Sequence, residues 1–150
     1  MLVIATSRLS TFFHGSDTQF GIFYPQHHLL AVFPNVLDAN RAKKRLLASG
    51  EREEDCIAVA GEEVVHFAEE YLWKEGIWGV LMTKLSRAIG TEAVYADKDL
   101  EMARQGAAFL AVHCPTEDAK IAAWKCLEPA HPVVARYYSF AGIEHLAGEA

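Results

Sequence analysis

The chain has 150 residues, of which 51% are hydrophobic and 23% are charged, and its formal net charge is −6 at pH 7. This length suits one domain with a substantial core, and the apolar fraction excludes a disordered chain. The acidic balance argues against nucleic acid as a main partner, because phosphate binding depends on clustered Lys and Arg. No apolar run approaches the ~20 residues of a membrane span, so we expect none.

The amino terminus and the cysteines indicate a cytoplasmic protein. The first residues lack a basic start followed by an apolar core, so the sequence predicts no signal peptide. The three cysteines, Cys56, Cys114 and Cys126, show no CxxC or other metal-ligand spacing. We therefore expect buried thiols in a reducing compartment rather than a disulfide framework.

Residues 1–28 form an N-terminal arm that is dense in aromatic residues. Each large ring contributes about 1.5–3 kcal/mol when buried, so several rings left in water would cause aggregation. The arm therefore packs either on its own domain or on a neighbouring subunit of an oligomer. The candidate interface residues are Phe12, Phe13, Phe20, Phe23 and Tyr24.

The rest of the chain contains an internal repeat. Residues 30–33 (Leu-Ala-Val-Phe) recur as residues 110–113 (Leu-Ala-Val-His), and a proline follows each run closely. Apolar residues at three- and four-residue spacing then predict a helix in each copy. Asn35 and Thr116 are the expected N-caps, and Gly50 is expected to end the first helix.

A second strand follows in each copy, at residues 56–60 and 133–140, and each exit carries an Ala-Gly pair. The shared order of these features indicates that one strand–helix–strand unit was duplicated. Two such units normally combine into the ferredoxin-like arrangement, an α+β fold with four strands and with two helices on one face. The sequence therefore predicts a duplicated ferredoxin-like fold.

The predicted organisation is the arm at residues 1–28 and one α+β domain at residues 29–150. Within that domain we expect a first βαβ unit, a helical insertion, a second βαβ unit and a tail, at residues 29–61, 62–106, 107–144 and 145–150. The last helix of the insertion is predicted at about Asp97 to Gln105, before Gly106.

The predicted strands are apolar without alternation, as at Leu29–Phe33, Ile57–Ala60 and Ala107–Val112. Uninterrupted apolar strands are usually covered on both faces. The two repeat helices can cover only one face. We therefore expect the central helices, the arm or another subunit to cover the second face.

The insertion carries a candidate metal site. Glu62, His66 and Glu70 follow one another at four-residue spacing, and Glu63 adds a pair at three-residue spacing with His66. Carboxylate and imidazole groups at such spacing can share an ion, and the candidate ligands are Glu63, His66 and Glu70. A closed site needs further ligands and no second ExxH occurs, so a solvated helix face is the alternative.

The sequence offers no catalytic constellation. It contains no GxGxxG, P-loop, GxSxG or HExxH motif. His113 and Cys114 are neighbours at a strand end, where their side chains do not meet to form a nucleophile pair. We therefore assign no catalytic residue and expect no cofactor.

Part of the chain resembles a known bacterial group. The resemblance lies in residues 30–39 (Leu-Ala-Val-Phe-Pro-Asn-Val-Leu-Asp-Ala), residues 46–50, and residues 55–60 (Asp-Cys-Ile-Ala-Val-Ala). These segments are similar to the general-stress-protein-like, or heat-induced-stress-protein-like, domain over about residues 30–61, and residues 110–144 resemble it weakly. The resemblance implies a small bacterial protein associated with stress, and its motifs are structural.

Two functional hypotheses follow. The leading one is a non-enzymatic cytoplasmic protein that acts as a homo-oligomer or by binding a protein partner. The alternative is a small-molecule-binding protein or a cofactor-independent enzyme with a cavity between sheet and helices. The candidate ligand-binding residues for that cavity are Trp78, His113, Trp124 and His131.

Overall fold

The computed structural model describes residues 12, 18–19, 22–23, 25–67, 69 and 91–148, and its architecture is α+β. Within these residues the strands are β1 (Thr18–Gln19), β2 (Ile22–Phe23), β3 (His28–Phe33), β4 (Cys56–Val59), β5 (Ala108–His113), β6 (Val134–Tyr138) and β7 (Ile143–Ala147). The helices are α1 (Val36–Ala48), α2 (residues 61–67), α3 (Thr91–Arg104) and α4 (Glu117–Leu127).

The main sheet has five antiparallel strands in the order β4-β5-β3-β6-β7, while β1 and β2 pair separately. Strand β3 lies between β5 and β6, so that Leu30 is opposite both Ala111 and Arg136. Because β3 and β4 are both antiparallel to β5, they run parallel to each other with β5 between them. The two predicted strand–helix–strand units are therefore interleaved in one sheet.

Both repeat helices begin at the predicted capping residue. The Asn35 side chain accepts a hydrogen bond from the Asp38 backbone N–H at 2.9 Å. The Thr116 hydroxyl accepts one from the Ala119 backbone N–H at 3.1 Å. Each contact satisfies an amide at the start of a helix that has no partner within the helix.

One face of the sheet, the first face, packs against α1 and α4. The largest side chains there are almost completely removed from water, and they come from both repeats. The small residues Ala39 and Ala42 of α1 lie in this cluster and allow the helix to approach β4 and β5 closely. The fully buried leucines of this cluster are Leu29, Leu46, Leu110 and Leu127.

The opposite face, the second face, is covered by α2, α3 and the arm residue Phe12. Val64, Val65 and Met102 of the two helices pack there against the apolar side chains of the sheet. Gly61 permits the close approach of α2 to the end of α3, because a Cβ at this position would lie 2.5 Å from the Ala107 carbonyl oxygen. The expectation of cover on both faces is thus confirmed within one chain.

The C-terminal segment differs from the sequence-based expectation. Residues Ile143–Ala147, expected as an exit and a tail, form the fifth strand, β7, whereas the corresponding exit of the first unit is the helix α2. The Lys120 ammonium on α4 contacts Glu144 of β7 at 2.6 Å and Glu117 at 2.6 Å. An edge strand needs little apolar surface, so the short segment 143–147 gave a weak strand signal.

The last helix of the insertion is also longer than expected, since α3 begins at Thr91 rather than near Asp97. None of the helices within the described ranges combines the length and the apolar character that crossing a membrane requires.

Replacement of Leu110 by Ala should lower the free energy of unfolding by about 2–5 kcal/mol, because Leu110 is fully buried in a central strand and its loss leaves a cavity. The matched control is Ile121→Ala on the outer side of α4, where 44% of the residue is exposed and the expected change is below about 1 kcal/mol. Urea unfolding measures both, and equal losses would contradict the assigned core.

Candidate functional site

Polar side chains from three neighbouring strands lie side by side on the second face of the sheet. His28 of β3 is opposite His113 of β5 on one side and Tyr138 of β6 on the other. The rings of His28 and His113 have their centroids 5.0 Å apart. Arg136 lies two residues before Tyr138 on the same face and contacts Asp99 of α3. We call these five residues the polar row.

His28 is the central residue of the polar row and is only 5% exposed. Its Nδ1 lies 2.9 Å from the Gln26 carbonyl oxygen, and the Phe12 ring stands edge-on to it at 5.4 Å between centroids. Because a carbonyl oxygen only accepts, Nδ1 carries the proton in the neutral ring. Burial lowers the pKa of His28 to about 4, so the ring is neutral at neutral pH.

Arg136 is buried, with 2% of its surface exposed, although it carries a charge. Its Nη2 donates to Oδ2 of Asp99, and its Nε donates to the Tyr138 hydroxyl oxygen at 3.1 Å. Burial raises the pKa of Asp99, and the neighbouring Arg136 opposes this effect. No donor within the described part of the chain reaches the buried Oδ1 of Asp99.

His113 lies at the open end of the polar row. Its side chain is 41% exposed, and its Nδ1 is 3.7 Å from Oδ1 of Asp55. Arg52 in turn donates from Nε to Asp55 Oδ2 at 3.0 Å. The row therefore runs from a half-exposed imidazole beside a carboxylate to a buried ion pair beneath α3.

Cys114 follows His113 in sequence but belongs to the cluster on the first face. Burial raises the pKa of Cys114 to about 12, and that of Cys56 to about 12 as well. The Tyr137 hydroxyl donates to the Cys114 carbonyl oxygen at 2.7 Å. These protonated thiols act as core residues, because only the thiolate is a strong nucleophile.

The three predicted ligand-binding residues that the structure describes do not lie together. His113 lies in the polar row on the second face, while Trp124 of α4 packs against the cluster on the first face. His131 is exposed in a left-handed conformation after α4, with φ of 53°. Trp78 lies outside the described residues.

The other candidate residues are also placed only in part. On α2, Glu63 is half-buried and His66 is exposed, while Glu70 lies outside the described residues. In the ranges that the structure describes, no three His, Cys, Asp or Glu side chains group as a metal site would require. Of the five candidate interface residues, Phe12 packs on the second face of its own chain and Phe23 lies in β2, whereas Phe13, Phe20 and Tyr24 are outside the described residues.

Sequence reasoning missed four members of the polar row: His28, Asp99, Arg136 and Tyr138. One usable signal was present, since Arg136 interrupts a strand that is otherwise apolar and aromatic. A charged residue in a strand that is covered on both faces must find a partner. Asp99 is 37 residues away along the chain, and no local spacing connects the two.

Comparisons with protein-family models, with curated proteins and with solved structures found no match to this chain.

The buried imidazole of His28 should make stability depend on pH. Its pKa is lowered from 6.5 to about 4 on folding, so the folded state favours the neutral ring. The stability that depends on the neutral ring is therefore fully present above pH 6.5, and it is lost as the pH falls toward 4. Between pH 7.5 and pH 5 the free energy of unfolding should fall by about 2 kcal/mol from this group alone.

Urea unfolding of the wild type and of His28→Gln at the two pH values isolates this effect, since other groups titrate in both proteins. The control is His131→Asn, which removes an exposed imidazole and suits the left-handed backbone at that position. A His28→Gln variant with the same pH dependence as the wild type would contradict the assignment.

Replacement of one partner of the buried ion pair between Asp99 and Arg136 should lower the free energy of unfolding more than replacement of both partners. Asp99→Ala leaves the Arg136 guanidinium buried without its carboxylate, and we expect a loss of about 3–5 kcal/mol. The double variant Asp99→Leu/Arg136→Met should recover most of that loss. Urea unfolding of both variants measures this, and a double variant no more stable than Asp99→Ala would contradict the cost assigned to the unpaired guanidinium.

Proposed function

We propose that the chain binds a small polar molecule at the polar row, between the second face of the sheet and the helix α3. One observation carries the proposal: three neighbouring strands and a covering helix place two imidazoles, a phenol, a guanidinium and a carboxylate together on one face. Buried groups of this kind cost free energy, and they concentrate at functional sites.

The polar row is a better candidate than the rest of the second face because it has an accessible end. His113 is half-exposed there, while His28 and Arg136 are buried behind it. A ligand that entered past His113 would meet hydrogen-bonding groups of both kinds. Most of a small ligand's specificity comes from a few such groups in an apolar surround, which the cluster around Val32 and Phe109 supplies.

We propose binding rather than nucleophilic catalysis. The cysteine that adjoins the row in sequence, Cys114, has its pKa raised to about 12 and lies on the first face. It therefore supplies no thiolate at neutral pH. His113, next to Asp55, is the group of the row that a molecule entering from the open end would contact first.

The sequence-based case for self-association rested on the apolar strands that need cover on both faces, on the aromatic arm and on the absence of a catalytic constellation. Since α2, α3 and Phe12 cover the second face within one chain, the first of these reasons no longer favours an oligomer over a monomer. Self-association and binding of a protein partner stay predictions, and light scattering that reports a dimer or larger would support them. A cytoplasmic location and the resemblance to the stress-protein-like domain also stay predictions.

We further propose that the fold is a duplicated ferredoxin-like unit extended by one strand. The strand order β4-β5-β3-β6 supports this, because each repeat contributes one central and one outer strand of that set. The matching side-chain caps at Asn35 and Thr116 support it as well.

A panel of small probes tests the binding site. We would add methylammonium, acetamide, acetate and phosphate to isotope-labelled protein and follow the two-dimensional nuclear magnetic resonance signals. At least one probe should shift the signals of His28, His113 and Tyr138 together and saturably. His28→Gln should weaken that response, whereas His131→Asn, which lies outside the row, should retain it. If no probe shifts these signals, the proposal is wrong.

A further inference from the structure

The Asp99 carboxylate has one oxygen without a hydrogen-bond donor among the described residues, and this oxygen is a possible contact for a ligand if the polar row binds small molecules as proposed. Its Oδ2 accepts from Arg136, but its Oδ1 is buried and no donor among the described residues reaches it. A buried acceptor without a donor costs more than a hydrogen bond gains, so this position calls for an N–H or O–H group. An ionised carboxylate only accepts.

The charges around the row favour the same kind of group. Arg136 and Asp99 neutralise each other at the buried end. At the open end, Asp55 lies beside His113, and Glu51 is close enough to interact with both His113 and Asp55. Among the described cations on this side, Arg52 is paired with Asp55 and Glu54, and Lys43 is paired with Glu53. An anionic ligand would therefore meet more carboxylates than unpaired cations.

We infer that the ligand of the polar row carries an amine or ammonium group that donates a hydrogen bond to Oδ1 of Asp99, beside the Arg136 guanidinium that holds Oδ2. The ammonium group of the ligand would contact Oδ1 rather than Oδ2, because Oδ2 already accepts a hydrogen bond from Arg136. The rings of Tyr138 and His28, two members of the row on neighbouring strands, would lie beside the alkyl part of such a ligand.

Methylammonium and acetate are the decisive probes, because they have similar size and opposite charge. Methylammonium should bind with a Kd at least about tenfold lower than that of acetate, and acetamide should fall between them. The signals that shift should include those of Asp99 and Arg136. A lower Kd for acetate, or equal values for both ions, would overturn the inference.

Variants on α3 separate the Asp99 contact from general electrostatics. Asp99→Asn should raise the Kd of methylammonium by about tenfold, since it replaces the ionised acceptor. The matched control is Glu101→Gln, which removes an exposed carboxylate from the same helix and should change the Kd by less than about twofold. Equal effects of the two variants would contradict the proposed contact.

Two failures can be told apart in this design. If none of the probes shifts signals of the polar row, the proposed binding function fails. If probes bind but acetate is preferred, the function survives and the inferred ligand class fails. Should Asp99→Asn not fold, the order of the probes on the wild type decides, because that measurement needs no variant.

Discussion

The burial of the Arg136 guanidinium on the second face is the constraint on which the arrangement of this protein depends. A charge in that position must be neutralised and hydrogen-bonded, and the partners come from separate parts of the chain. Asp99 can reach Arg136 only if α3 lies across the second face. Tyr138 can reach it because the two residues share a face of β6. The ion pair thus helps to fix where α3 crosses the sheet, in addition to the apolar contacts there.

Burial on the same face of the sheet accounts for the neutral imidazole of His28. The Phe12 ring stands edge-on to His28, which is only 5% exposed, and burial lowers the pKa of His28 to about 4. A neutral ring can stay beneath an aromatic side chain where a charged ring would have to be hydrated. His113, one strand away at the less covered end, keeps contact with solvent and with Asp55. Solvent exposure in the polar row therefore decreases from His113 on β5 to His28 on the neighbouring strand β3.

Local patterns in the sequence were sufficient to predict the helices of the two predicted strand–helix–strand units. The periodicity of residues 36–48 and the capping residues Asn35 and Thr116 predicted α1 and the start of α4, because caps and amphipathic spacing act over three or four residues. The unbroken apolar strands predicted cover on both faces. The edge strand β7 was missed, since its stability comes from pairing with β6 and from the contact between Lys120 and Glu144. The ion pair between Asp99 and Arg136 could not be predicted from the sequence either, because it depends on tertiary packing and not on local spacing.

The strands of the two predicted strand–helix–strand units alternate in one sheet, and this order affects how the chain folds. Strand β3 is separated from its sequence partner β4 by β5, which belongs to the other repeat, so the first unit has no sheet of its own. A nascent chain that has emerged only as far as residue 67 lacks both neighbours of β3. The sheet can therefore form only after the C-terminal half of the chain is available. Pairing strands so far apart in sequence costs the entropy of closing a long loop, and such high contact order is associated with slow folding. Neither predicted unit can therefore complete its sheet before the strands of the other are present.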